Sequence, residues 1–195
     1  PARVLRWDGA KWQTVGNVTR GSLKAYVSAF ASYNGNLVIA GSFLEVDGVS
    51  TPGFATWDGK SWQPLGSGVS GPFPPIGYAL QVMNGELIVS GSFTFAGGVS
   101  ANRIAAWNGE TWRALGNGID WGSAVALTVY NNDLIAAGNF QIKGGIGANN
   151  IARWDGVEWH GMGYVNRSVH AAIVFNGELI IAGEFSGIGG VRALR

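Results

Sequence analysis

An all-β fold of repeated four-stranded antiparallel units is what this sequence predicts, and three observations carry that expectation. A tryptophan recurs at Trp7, Trp57, Trp107 and Trp154, at intervals of 50, 50 and 47 residues. Each is followed by Asp-Gly or Asn-Gly and, five residues on, by a second tryptophan (Trp12, Trp62, Trp112 and Trp159). Between these motifs, apolar residues alternate in short runs bounded by glycine and asparagine, and nothing shows the 3.6-residue period or the caps of a helix. A period near 50 implies units that bury their apolar faces only against neighbours.

The second unit shows the elements in order. Residues 78–83 alternate as a strand, and Asn84-Gly85 follows, a hairpin signal because type I′ turns need positive φ at both central positions. Residues 86–90 form a second strand ending in Gly91-Ser92-Phe93. A loop over 94–102 holds Gly97-Gly98, and a third strand runs over 103–107. A tight turn at Asn108-Gly109 leads into the fourth, 111–115. The other units match in register: Asn34-Gly35, Asn131-Asn132 and Asn176-Gly177 are the first turns. Gly41, Gly91, Gly138 and Gly183 lie seven residues after each turn Asn, and Phe43, Phe93, Phe140 and Phe185 two further on. Four-stranded antiparallel units of this length are β-propeller blades. The repeats fall at about 17–66, 67–116, 117–163 and a composite of 164–195 with 1–16, in one domain spanning 1–195.

A second strand ending in glycine, a turn after the first tryptophan and another tryptophan five residues later resemble the kelch repeat. The pattern is similar to bacterial repeats reading Trp-Asp-Gly-x-x-Trp-x-x-Leu-Gly and to the ectodomain repeats of fungal cortical polarity markers. The resemblance spans the chain, and departs from standard kelch in having Gly41-Ser42-Phe43 endings in place of a Gly-Gly pair. It implies a propeller and, through the ectodomains, an extracellular or cell-surface setting. It says little of activity, because propellers host many functions.

The two termini are expected to complete one blade. The motif tryptophan falls 16 residues after the second-strand glycine, so from Gly183 it would stand at 199, four past Arg195. Four back from Trp7 is Arg3. The expectation is a two-plus-two closure, with strands three and four from the N-terminus and one and two from the C-terminus. Three arrangements stay open: a four-bladed ring in one chain, an eight-bladed ring closed by a second chain as a homodimer, or a truncated piece of a longer repeat array. Pro1 without an initiating methionine reads as a processed or trimmed product.

Composition narrows the function classes. Charged residues are 13% of the chain, net charge is +1 and cysteine is absent. These values exclude disulfides and thiolate metal sites, and predict neither a nucleic-acid partner nor a membrane span. Alternating strands place the short Asn-Gly and Asp-Gly turns on one face and every length change on the other. Variable loops on a rigid scaffold are where binding residues concentrate. Asp8, Asp58, Glu86, Glu110, Asp133, Asp155, Glu158 and Glu178 fall on the short-turn face, which is thereby acidic. Arg3, Arg20, Lys24, Arg103, Lys143, Arg167, Arg192 and Arg195 fall on the long-loop face with Glu45, Asp47, Asp120 and Glu184.

The residues expected to make contacts are Trp121, Phe73, Lys143, Arg103, Arg167 and Glu184. Trp121 is the one tryptophan outside the motif, and Phe73 sits in a proline-stiffened loop, 71–76. Glu184 replaces the Ser42, Ser92 and Asn139 of the other endings. The motif tryptophans read as packing between blades. No catalytic residue, metal site or cofactor is expected. Gly66-Ser67-Gly68-Val69-Ser70-Gly71 matches a dinucleotide pattern, but Pro72-Phe73-Pro74-Pro75 follows where that pattern needs a helix. His160 and His170 lack metal-motif spacing. Asn17 and Asn166 head glycosylation sequons. The function expected is a non-catalytic binding or scaffold module using the long-loop face for protein or glycan partners. The alternatives are a carbohydrate-binding lectin, and a propeller hydrolase or lyase drawing on Glu184, Asp120 or His170.

Overall fold

The computed structural model describes residues 1–142 and 149–192. Among these the chain is all-β, without helix, and belongs to the β-propeller class. No helix among the described residues is long and apolar enough to cross a membrane. Three complete blades follow one another, each a four-stranded antiparallel sheet paired in sequence order. Blade one comprises Tyr26–Tyr33, Asn36–Ser42, Phe54–Trp57 and Trp62–Pro64. Blade two comprises Gly77–Met83, Glu86–Gly91, Ile104–Trp107 and Trp112–Ala114. Blade three comprises Ile119–Tyr130, Asp133–Ile142, Asn149–Trp154 and Trp159–Gly161.

Turn chemistry sets each blade. Asn34-Gly35 has φ of 48° and 77°, Asn84-Gly85 50° and 78°, and Asn131-Asn132 51° and 67°. These are the paired positive values that a type I′ hairpin demands, and asparagine tolerates them best after glycine. The second turn is longer than the tight Asn-Gly reversal expected. Trp57 pairs with Trp62 across a loop of four residues, 58–61. Asp58 closes it by accepting the backbone N–H groups of Lys60 and Ser61 on one carboxylate oxygen, both at 2.8 Å. Asp8, Asn108 and Asp155 make the same pair of bonds in the other copies.

Blades join face to face. Phe43, Phe93 and Phe140 are fully buried beneath the long-loop ends. Buried Val38, Ala40 and Phe54 of blade one pack with Leu87, Val89, Ala105 and Trp112 of blade two. Ile88, Ile104 and Leu115 of blade two pack with Leu134, Ala136, Trp154 and Trp159 of blade three. A further stitch crosses each joint, because the short hairpin after the second strand pairs with the connector entering that blade. Val46 opposes Val18, Ala96 opposes Val69, and Ile142 opposes Ile119.

Each end carries two strands of a blade. Ala2–Trp7 and Trp12–Thr19 form an N-terminal half-blade packed on blade one through Val4 and Val18. Val169–Phe175 and Glu178–Gly183 form a C-terminal half-blade packed on blade three through Val169, Ala172, Leu179 and Ile181. These half-blades correspond to strands three and four and to strands one and two, as expected. Among the described residues they do not pair with each other, since Val169–Phe175 and Glu178–Gly183 stand as a separate two-stranded sheet.

Candidate binding cleft on the long-loop face

Three of the six expected contact residues come together. Trp121, Arg167 and Glu184 line a cleft of about 420 Å³ between blade three and the C-terminal half-blade. That volume lies in the range of roughly 300–1,000 Å³ occupied by small-molecule sites. Its walls come from the second strand of blade three, the start of its third strand and the connector leading out of it, as the long-loop face requires. Asn139, Gln141, Asn149, Asn150, Tyr164 and Asn166 complete the lining.

Each wall is held by the backbone behind it. Trp121 is opposite Gln141 in the extended hairpin of blade three, and its Nε1 donates to Gln141 Oε1 at 2.9 Å. Trp121 remains 51% exposed, and Tyr164, on the same lining, 65%. Asn150 adopts φ 63° and braces the floor. Its Oδ1 accepts the Phe140 N–H, and its Nδ2 donates to the carbonyls of Val165 and Arg167. Asn166 donates from Nδ2 to Ser186 Oγ and accepts the Ser186 N–H, which fastens the connector to the C-terminal hairpin. The other sequon asparagine, Asn17, stands in register with Tyr164 and donates to Asp47 Oδ1. The sequon amides therefore act as inter-blade ties.

Glu184 has an unexpected neighbour. Its Oε1 lies 3.2 Å from His170 Nε2, and both side chains are exposed. His170 borders an adjoining groove that shares Asn139 and Ser168 with the cleft. Asp120 is not part of either lining.

The other expected residues separate. Phe73 and Arg103 border a smaller recess of about 150 Å³ with Pro72, Ser92, Phe93 and Thr94. Phe73 projects from it, 79% exposed. Arg103 does structural work: at φ 62° it stands where blade one has Gly53 and blade three Asn150. Its Nη1 donates to the carbonyls of Ile119 and Asp120, bracing the connector as Asn150 does. Lys143 lies outside the described residues.

The short-turn face is less acidic in effect than its carboxylate count suggests. Glu86 forms a two-pronged ion pair with Arg113, and Asp133 pairs with Arg153 at 2.7 Å. The Lys11 N–H holds the Asp8 carboxyl below the usual carboxylate range, and the Ser61 N–H does the same for Asp58. Asp155 is lowered furthest, first by the Glu158 N–H and then by His160. Asp155, Glu158 and His160 form a cluster that sequence spacing did not suggest. His160 Nε2 lies 2.6 Å from Asp155 Oδ2, and Gln13 holds the same place against Asp8 at 2.7 Å. The cluster is thus a variant of the turn bond found in the first copy.

Sequence reasoning missed the amide lining. Asn139 was visible as one of the varied residues in the Gly-x-Phe endings, but Gln141, Asn149 and Tyr164 belong to no motif that points to a site. Residues 84–105, the hairpin turn to the third strand of blade two, match a family described as a domain of unknown function (DUF5122) beta-propeller. No curated protein matches the chain. The class that fold and match define together is a β-propeller repeat protein.

Proposed function

We propose that this chain is a non-catalytic binding module of kelch-like type, and that its long-loop cleft takes a glycan. The observation that carries this reading is the pairing of two half-exposed rings, Trp121 and Tyr164, with an amide-rich lining. Aromatic faces stack on the apolar faces of sugar rings, and amides offer donors and acceptors together, which suits hydroxyl groups. Arg167 and Glu184 give the cleft one charge of each sign, fitting an uncharged or weakly charged ligand. An extracellular or cell-surface setting rests on the resemblance to ectodomain repeats, and protease shaving of intact source cells tests it. Phe73, standing clear of its recess, is the anchor available to a protein partner.

Calorimetric titration with a panel of neutral oligosaccharides tests the cleft. Binding of a panel member is expected, weakened tenfold or more by Trp121→Ala and unchanged by Phe73→Ala. A panel that stays silent, or binding indifferent to Trp121→Ala, rejects the reading.

The Glu184–His170 contact favours a second reading, a glycan hydrolase or lyase with these two as proton-transfer groups. Turnover of a panel member that is lost in both Glu184→Gln and His170→Ala would establish it. Binding without turnover would leave the first reading in place.

A further inference from the structure

The loop between the third and fourth strands of blade three differs from its counterparts in the side chains it gathers. In every copy the residue after the first motif tryptophan caps this loop, and two further positions follow it by three and five residues. The three positions hold Asp8, Lys11 and Gln13 in the first copy, Asp58, Ser61 and Gln63 in blade one, and Asn108, Thr111 and Arg113 in blade two. In blade three they hold Asp155, Glu158 and His160. Among the described residues, this is the one place where three carboxylate or imidazole groups converge, with a donor atom from each within 4.8 Å of the others. The turn itself does not require the set, because Asp58 and Asn108 close the same loop without a glutamate or a histidine beside them.

We propose that Asp155, Glu158 and His160 form a binding site for a zinc ion. The cap fixes one ligand in advance. Asp155 Oδ1 accepts the N–H groups of Val157 and Glu158, both at 2.8 Å, and Oδ2 is left turned toward His160 Nε2 at 2.6 Å. Backbone donors thereby orient the liganding carboxylate, as outer-shell partners do at metal sites. Glu158 Oε1 lies 3.9 Å from the same imidazole nitrogen. An ion bonded at about 2.0–2.2 Å to tetrahedral ligands holds them roughly 3.3–3.6 Å apart, and the two observed separations lie on either side of that. Asp155 and His160 need to part by roughly 1 Å, and the Glu158 side chain, 73% exposed, is free to swing inward.

Charge and ligand type agree with that assignment. Arg153 stands opposite His160 across the strands, but its guanidinium is engaged by Asp133 at 2.7 Å. The imidazole selects the metal, because carboxylates and water alone suit magnesium and calcium, whereas imidazole suits zinc and its transition-metal neighbours. Three protein ligands at an exposed loop leave a fourth position for water. The site lies on the short-turn face, away from the Trp121 cleft, and does not rest on the glycan reading.

Calorimetric titration of the metal-free 195-residue chain with zinc chloride tests the site. Saturable binding of one ion at this loop is expected, weakened about tenfold or more by His160→Gln and by Glu158→Ser. Both variants install residues that blade one carries at the same places, and urea midpoints measured without zinc check that they fold alike. Calcium and magnesium should bind at least about tenfold more weakly than zinc. Absence of saturable zinc binding, or zinc binding indifferent to both substitutions, overturns the proposal. Calcium affinity equal to that for zinc overturns the role given to the imidazole.

Discussion

The Trp107 ring lies against the backbone of Gly66, so close that a β-carbon there would stand 2.6 Å from it. One blade's terminal glycine is thus the contact surface for the next blade's first motif tryptophan. Gly66 also has φ 55°, a conformation that side chains resist. Gly66→Ala is expected to destabilise by roughly 2–4 kcal/mol, combining overpacking and backbone strain. Gly85→Ala, at φ 78° with open space around its β-carbon, carries the strain alone, roughly 1–2 kcal/mol. Urea unfolding of the two variants separates the contributions.

The second motif tryptophans are not equivalent. Trp159 Nε1 donates to the Leu115 carbonyl at 2.9 Å, whereas the buried Trp112 Nε1 has no partner among the described residues. Removing a buried donor strands its acceptor, at a cost of about 1–3 kcal/mol, while removing an unpaired donor relieves a desolvation penalty. Trp159→Phe should therefore cost clearly more than Trp112→Phe in thermal unfolding.

Asp8, Asp58 and Asp155 have carboxyls lowered by the backbone N–H groups they cap. A depressed folded pKa means the unfolded chain takes up protons first as pH falls. The stabilisation is complete above the ordinary carboxylate range and is lost as pH drops through the folded values. Asn108 makes the same bonds without titrating. Replacing all three aspartates by asparagine should therefore change neutral-pH stability little and flatten its acid decline, read by urea unfolding between about pH 2 and 7.

Arg103 separates structure from recognition. Its Nη1 braces the carbonyls of Ile119 and Asp120, and bonds from a charged donor contribute about 1.5–3 kcal/mol. Arg103→Ala should lower unfolding stability by about that amount and leave glycan affinity at the Trp121 cleft unchanged. An affinity loss without a stability loss would return Arg103 to the contact set.

The blades were legible because local chemistry is sufficient to form them. Asn34-Gly35 and its counterparts specify a two-residue reversal by φ alone, and alternation on either side decides which residues turn inward. The tryptophan period says that units pack on one another, and the inter-blade burial of Trp62 and Trp159 follows. The cleft was half legible. Trp121 and Glu184 stood out as departures from the repeat, and they do line it. Arg103 stood out by charge alone, and its positive φ, shared with Gly53 and Asn150, was hidden because three different residue types fill that place.

By itself the sequence determined the repeat, the strand order within each blade, the turns and the face that carries varied loops. All of these depend on contacts between residues near in the chain or on a pattern that recurs. Only the tertiary structure decided that Trp121 and Tyr164 line one amide-rich cleft, that Glu184 meets His170, and that the end half-blades form separate sheets. Those relations depend on the angle at which one blade packs on the next. That angle is the sum of many small side-chain contacts, such as Phe93 beneath one joint and Phe140 beneath another, and no single motif encodes it.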